Sequence, residues 1–479
     1  MAFASVFRGL GGILVVLAAL AFIAALFGAA VNERPQALTL SATGLLSLFL
    51  GISGFLLGRN LQTNTGPREG VAMLLLGWTI APAIAAFGFL GQGAIIHFDD
   101  AFFEAMSAAT TTGASLIDPD TAPRSIILWR GLLEWGGGYL SILMILVILV
   151  ALNLTGPGVH RSTLFTLDKE GLFKRFSHIT RVAGVIYGIV TLVTFIGLAV
   201  SGSTLFDAVC LALSAPATGG GAPRGAALPD YVSGAGLMVL GLALFAGSLN
   251  YALLWEAYRD NVMRRDILRD PETRALSGGI LLIFVLLVFM SSGLSFGRLS
   301  IAFHDAAALI STSGRFADLE AMRALPPTLL MAAVLIGGSA LSTAGGVKII
   351  RVLLLVRHAR AELRKLSHPS SIQLVHFRDR VVPDRTFVSL WIYFLGYTAV
   401  LGALIIGIAT MGEPLDIALP AAVATLSNAG PLLYATAAEN ADFNQFTRGA
   451  RAVMSAGMAL GRMEVLAALA ALAPGLWRR

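Results

Sequence analysis

Apolar runs of roughly 20 residues, the length at which a helix spans a bilayer, follow one another along almost the whole chain, separated by short polar loops. The first two, near Leu10–Val31 and Leu38–Leu57, predict a helical hairpin within residues 1–60. Beyond it the pattern settles into one unit used four times: a spanning helix, a short apolar helix that stops at a glycine, a turn, and a second spanning helix. The units run from 71 to 152, 181 to 257, 275 to 356 and 386 to 472. The expected fold is therefore an all-α polytopic membrane protein of about ten spanning helices, with four helix–pore-loop–helix repeats around a central pore.

The short helices carry the chemistry. The first ends at Thr111-Thr112-Gly113, and the other three at Thr218-Gly219-Gly220, Thr312-Ser313-Gly314 and Asn428-Ala429-Gly430, each with Thr or Asn two places before the last glycine. Non-helical backbone at membrane depth is tolerated only where protein buries it or where it lines an aqueous path. A cation leaving its water shell needs substitute oxygens, which rings of main-chain carbonyls provide. Glycine suits such a strand because it reaches conformations closed to other residues. One such turn alone reads more simply as a helix stop, but four in register make a candidate ion filter. The repeat is degenerate. Asp100 and Asp207 stand equally far before Gly113 and Gly220 and are expected to cap their short helices, whereas Asp305 lies closer to Gly314 and Asp416 farther from Gly430.

Composition excludes the soluble classes. With 56% hydrophobic and 13% charged residues in 479, and a mean hydropathy of +0.78, the chain has more apolar surface than one aqueous core buries. Its formal charge of +6 does not point to nucleic acid, because the basic residues sit in short loops where they act as topology signals. Arg59, Arg68, Arg161, Lys169, Lys174, Arg175, Arg259, Arg264, Arg265, Arg269, Arg357, Arg360, Arg364, Lys365, Arg378 and Arg380 fall on one side. Arg34, Arg124, Arg224, Arg315 and Arg323 are scattered on the other. Both termini are expected in the cytoplasm, with the filters entered from outside. The first apolar run exceeds the roughly 7–15 residues of a signal-peptide core and is expected to be retained. The single cysteine, Cys210, rules out an intrachain disulfide or a cysteine metal cluster and is expected to fill space. His160, His178, His358, His368 and His376 fall in predicted loops without metal-ligand spacing. No catalytic constellation is apparent, and the polar stretch 357–385 is too short for an enzymatic domain. Nor does the chain contain a phosphate-binding loop or dinucleotide fingerprint, so any response to a nucleotide would belong to another chain.

Taken together, Thr110-Thr111-Thr112-Gly113, Ala217-Thr218-Gly219-Gly220, Thr312-Ser313-Gly314, Asn428-Ala429-Gly430-Pro431, Trp135-Gly136-Gly137-Gly138, Leu460-Gly461-Arg462-Met463-Glu464 and the segment from Gly337 to Lys348 resemble the Trk/Ktr/HKT superfamily of potassium transporters. The resemblance covers nearly the whole chain and, with the N-terminal hairpin, is strongest to its TrkH-type membrane subunits. It implies that Gly113, Gly220, Gly314 and Gly430 line a selectivity filter with their preceding residues, and that Gly113, where a serine would favour sodium, favours potassium. A sodium-selective or sodium-coupled member of the same fold is the alternative. The resemblance also implies a homodimer in a bacterial cytoplasmic membrane and a nucleotide-binding, TrkA-like cytoplasmic ring as partner. Potassium would be the substrate, with no cofactor in this chain.

Two positions depart from the family pattern. Gly221 and Arg315 stand where apolar side chains are usual, and Arg315 is expected to point away from the mouth or to pair with Asp318 or Glu320. The stretch Gly337, Gly338, Ser342, Thr343, Ala344, Gly345, Gly346 interrupts an apolar run. Its glycines each cost a helix about 1 kcal/mol, so the middle is expected to unwind, although close helix packing through small residues would read the same way. The resemblance resolves this in favour of an intramembrane gate, with Lys348 and Arg462 as the interior charges; the alternative for Arg462 is a structural pair with Glu464 or with another helix. Glu134 is expected to be a packing or capping group. For Glu104, a field-setting role and a structural hydrogen bond remain equally open.

Overall fold

The computed structural model describes all residues except 1–2, 59–66, 92–94, 96, 152–171, 255–266, 268, 292, 369–373, 379, 438–440, 464, 466–467, 469–470 and 472–479. The expectations for Arg59, Arg161, Lys169, Arg259, Arg264, Arg265, His160 and Glu464 lie outside the described residues. Helices Phe3–Ala30 and Arg34–Leu57 form the N-terminal hairpin. Four times thereafter a long helix leads into a short one and then into a second long or broken one. The leading helices are Pro67–Ala85, Leu172–Val200, Pro271–Met290 and Asp384–Thr410; the short ones are Phe98–Ala109, Leu205–Ser214, Phe296–Ile310 and Leu415–Leu426. The closing helices are Arg124–Ala151, Gly234–Ser248, the pair Pro327–Ile336 and Ile349–Ser367, and Arg448–Arg462.

Six described helices are long and apolar enough to cross a membrane by length and composition: the hairpin pair and the four that lead each unit. Of the closing helices, Gly234–Ser248 and Pro327–Ile336 are apolar but short, at 15 and 10 residues. Among the described residues, the third unit's closing helix is interrupted between 336 and 349, and the fourth's carries Arg448, Arg451 and Arg462. The molecule is inverted relative to a water-soluble protein. Leu38, Phe49, Val193, Phe289 and Leu395 are exposed, while Thr110, Thr111, Thr112, Ser427 and Asn428 are fully buried. In water an apolar exterior of this extent would drive association; facing lipid it needs no partner. The short helices sit at the centre, where Ala105, Ala108, Ala208, Ala306, Ala307, Ala421 and Ala422 have no exposed surface. Small side chains let these helices approach one another closely.

Local chemistry sets the starts of the short helices, with one correction. Asp100 and Asp207 lie in the first turn, where an acid complements the positive helix end, but they are not the caps. Thr204 caps the second helix by accepting from Asp207 N, and His97 makes no side-chain cap on the first. The two carboxylates are drawn instead to arginines, Asp100 to Arg451 at 2.8 Å and Asp207 to Arg224 at 2.6 Å. The all-helical expectation also omits a small antiparallel hairpin, His376–Phe377 with Arg380–Val381. From it Arg378 reaches Asp270 at 2.7 Å and Glu272 at 2.5 Å. His358 stacks on Phe387 at 4.2 Å, whereas His376 is exposed. Cys210 is buried in the second short helix.

Glu33 fastens the hairpin to the first unit. Its carboxylate accepts from Arg124 N and Ser125 N at 2.9 Å each and from Ser125 Oγ at 2.5 Å, so it acts as a cap supplied from another helix. Loss of a side-chain cap costs about 0.5–2 kcal/mol. Glu33→Ala is expected to lower the thermal midpoint of the purified chain by that equivalent, and an unchanged melting curve would show that the hairpin is held by apolar packing alone.

Candidate ion filter and gate

The four turns share one conformation. Thr111, Thr218, Thr312 and Asn428 have φ of +53°, +53°, +63° and +52°, so the residue two places before each glycine occupies the left-handed region. For a side chain with a Cβ this costs roughly 1–2 kcal/mol, and Thr is poorly suited to it. The strain is met by the helix end. In all four, that residue's N–H reaches the carbonyl three places back, at 2.9, 2.9, 3.2 and 3.2 Å in chain order. In three, the next N–H closes on the carbonyl five places back: Thr112 on Ser107 at 2.8 Å, Gly219 on Ser214 at 2.9 Å and Ala429 on Ala424 at 2.7 Å. The third unit differs, with Gly314 N reaching Ala308 O at 3.1 Å. Backbone held in a sparsely populated region clusters at functional sites.

The turns close a ring in chain order. A Cβ added to Gly113 would stand 2.5 Å from Gly220 Cα. Ser313 Oγ donates to Gly219 O at 2.7 Å. A Cβ at Gly314 would lie 2.9 Å from Leu432 N and 3.2 Å from Ala429 O, and Gly430 N donates to Thr112 O at 2.7 Å. The four glycines are needed for two reasons. Gly113 and Gly314 have φ of +79° and +68°; Gly220 and Gly430 are limited by space, with an added Cβ 2.6 Å from Pro431 Cγ and 2.5 Å from Ala114 N.

Carboxylates brace the turns from behind. Glu104 accepts from Ser115 Oγ and Leu116 N, both at 2.9 Å, and lies 3.2 Å from Arg130 Nε. Asp305 accepts from Ala317 N at 2.6 Å and Asp318 N at 2.9 Å, with His304 Nδ1 2.9 Å away. Glu104 and Asp305 both stand nine places before their filter glycine. Asp305 is therefore the counterpart of Glu104, not of Asp100, and its apparent displacement in the repeat disappears. Glu104 makes structural hydrogen bonds, one of the two roles expected for it.

The segment expected to unwind does so. The chain leaves the helix at Ile336 and resumes it at Ile349, with Gly337, Gly346 and Lys348 at φ of +71°, +77° and +76°. Beneath the ring this loop meets the filter units. Thr343 Oγ1 donates to Pro216 O at 2.9 Å, and Gly345 N donates to Thr312 Oγ1 at 2.7 Å. Arg462 Nε donates to Thr110 O at 2.6 Å, and its other nitrogens donate to Thr111 Oγ1 and Thr343 O. Lys348 Nζ donates to Ser342 O at 3.4 Å and to Ala344 O. Asn428 Nδ2 ties Thr112 Oγ1 at 3.0 Å to Met458 O at 2.9 Å. Gly338 also lies against this loop, since a Cβ there would stand 2.8 Å from Ser342 Oγ. Arg315 finds its acceptor away from the two acids near it in sequence, Asp318 and Glu320. Its Nη2 donates to Arg224 O at 3.3 Å, an acceptor on the preceding unit's loop, while Asp318 caps Leu319–Arg323.

Comparison with known proteins identifies the architecture. The model of the TrkH family, described as cation transport protein, matches residues 78–475. The chain belongs to the TrkH family. It is 30% identical over 420 residues to the Trk system potassium uptake protein TrkH of Escherichia coli K12, with 86% of each chain covered. Its identity to TrkH of Vibrio parahaemolyticus is 28% over 491 residues, covering both chains fully. Its fold superposes on the crystal structure of the potassium transporter TrkH from Vibrio parahaemolyticus with a TM-score of 0.88 at 27% identity, over all of both chains. In this member of the TrkH family, the residue that motif reading passed over is Arg130, which lies 3.9 Å from Glu134, the acid expected only to pack or cap. Two opposite charges four places apart in an apolar run were the available signal, since ionisable residues inside spanning segments are costly and seldom idle.

Proposed function

We propose that this chain takes up potassium across a bacterial cytoplasmic membrane, through the ring formed by Thr111-Thr112-Gly113, Thr218-Gly219-Gly220, Thr312-Ser313-Gly314 and Asn428-Ala429-Gly430. The observation that carries the reading is the left-handed residue repeated two places before each of the four glycines, in turns that touch in sequence around one axis. Main-chain oxygens presented in this way replace the hydration shell of an alkali cation. Membership of the TrkH family and the names of its relatives support potassium as the transported ion. In this reading the chain divides into a hairpin, 1–60, and units 71–152, 181–257, 275–356 and 386–472, the third containing the gate from Gly337 to Lys348, closed with help from Arg462. Two such chains pair, each with its own pore. Both termini face the cytoplasm, and a separate nucleotide-binding ring docks on the basic loops there. The protein acts as a transporter, with no catalytic step of its own.

The test is complementation joined to flux. Expression is expected to restore growth at low potassium to cells lacking potassium uptake, and the purified chain in liposomes is expected to take up rubidium in preference to sodium. Preference for sodium would move the chain to the sodium-selective alternative. No flux at all would overturn transport by this chain alone.

A further inference from the structure

The second filter strand lacks a brace of its own. Nine places before Gly220 stands Leu211, where the first and third units have Glu104 and Asp305. Glu134, from the closing helix of the first unit, occupies the space behind it. Ser214 Oγ donates to Glu134 Oε2 at 2.6 Å. A Cβ at Gly219 would stand 2.5 Å from Oε2, and one at Gly221 would stand 2.5 Å from Oε1. The carboxylate therefore lies against the main chain on both sides of Gly220. This contact also accounts for Gly221, since a side chain there would collide with Glu134.

The charge balance points the same way. Arg130 is the cation of the cluster, but its Nε is 3.2 Å from Glu104 and 3.9 Å from Glu134. Its Nη2 is given to Gly113 O at 3.0 Å. Two fully buried carboxylates thus share one guanidinium, and Glu134 is the less neutralised. In a site closed to water its charge is weakly screened, and it faces the ring through glycine positions that interpose no side chain.

We propose that Glu134 sets the affinity of the filter for its cation, lending negative charge to the second filter strand from behind without touching the ion. This rests on the reading of the ring as the ion path. Glu134→Gln keeps the shape and removes the charge. It is expected to raise the half-saturating rubidium concentration in liposome uptake roughly tenfold, with the maximal rate within about twofold of the parent. The potassium-dependent rise in thermal midpoint of the purified chain should move to correspondingly higher potassium, because stabilisation by a ligand follows its affinity. A purely structural role would lower abundance or stability and leave both concentrations alone, and either concentration unchanged in Glu134→Gln overturns the proposal. If that variant does not reach the membrane, Glu134→Asp carries the test. It keeps the charge but withdraws it by one methylene, and a rise of two- to threefold is expected; no rise overturns the proposal. Absence of flux and of potassium stabilisation in the parent chain would instead refute the ion path itself.

Discussion

Gly113→Ala is expected to reduce rubidium uptake by on the order of a hundredfold, while the protein still reaches the membrane. Two costs coincide at this position. A Cβ would meet Gly220 Cα at 2.5 Å, a backbone atom that cannot swing aside as a flexible side chain would. The local φ of +79° adds roughly 1–2 kcal/mol of strain for any residue with a Cβ. The neighbouring strand must shift, and a displacement of about 1 Å in a positioned site costs on the order of a hundredfold in rate. The measurement is initial uptake into liposomes at saturating rubidium, normalised to inserted protein. Near-normal uptake would mean that cations do not pass between Gly113 and Gly220, and the ring would lose its claim to be the conduit.

Removing Ser342, Thr343 and Ala344 is expected to act in the opposite direction, raising flux at least tenfold. Thr343 N donates to Gly247 O at 3.1 Å and its hydroxyl reaches Pro216 O and Gly247 O, each at 2.9 Å. Arg462 donates to Thr343 O, and Gly345 N donates to Thr312 Oγ1 at 2.7 Å. At about 1 kcal/mol net for each hydrogen bond, these contacts bias the loop toward its observed position by a few kcal/mol. Each 1.4 kcal/mol is a factor of ten in an equilibrium. Shortening the loop removes the Thr343 contacts and pulls Gly345 away from Thr312. Flux that stays at the parent level in the reconstituted chain would place the closing element elsewhere.

The glycines that weaken the helix after Ile336 were legible in the sequence, but they fitted close helix packing equally well until the family resemblance decided for an unwound stretch. The contacts of Arg462 were not legible, since its acceptors, Thr110, Thr111 and Thr343, are brought to it only by the fold. Arg315 shows the same limit. Asp318 and Glu320 are near it in sequence, but the acceptor it finds is the carbonyl of Arg224. Asp305 was matched to Asp100 by identity and position, whereas its hydrogen bonds to Ala317 and Asp318 give it the place of Glu104.

What the sequence determined by itself was the succession of apolar helices, the four glycine turns and a weak point in the helix after Ile336, because hydropathy and backbone preference act over a few residues and need no distant partner. The tertiary structure alone decided that the four turns meet, that a carboxylate from one unit braces the next, and which carbonyls the buried arginines satisfy. Those outcomes depend on groups up to 352 residues apart, such as Arg462 and Thr110, and no local preference encodes which of them will share a space from which water has been removed.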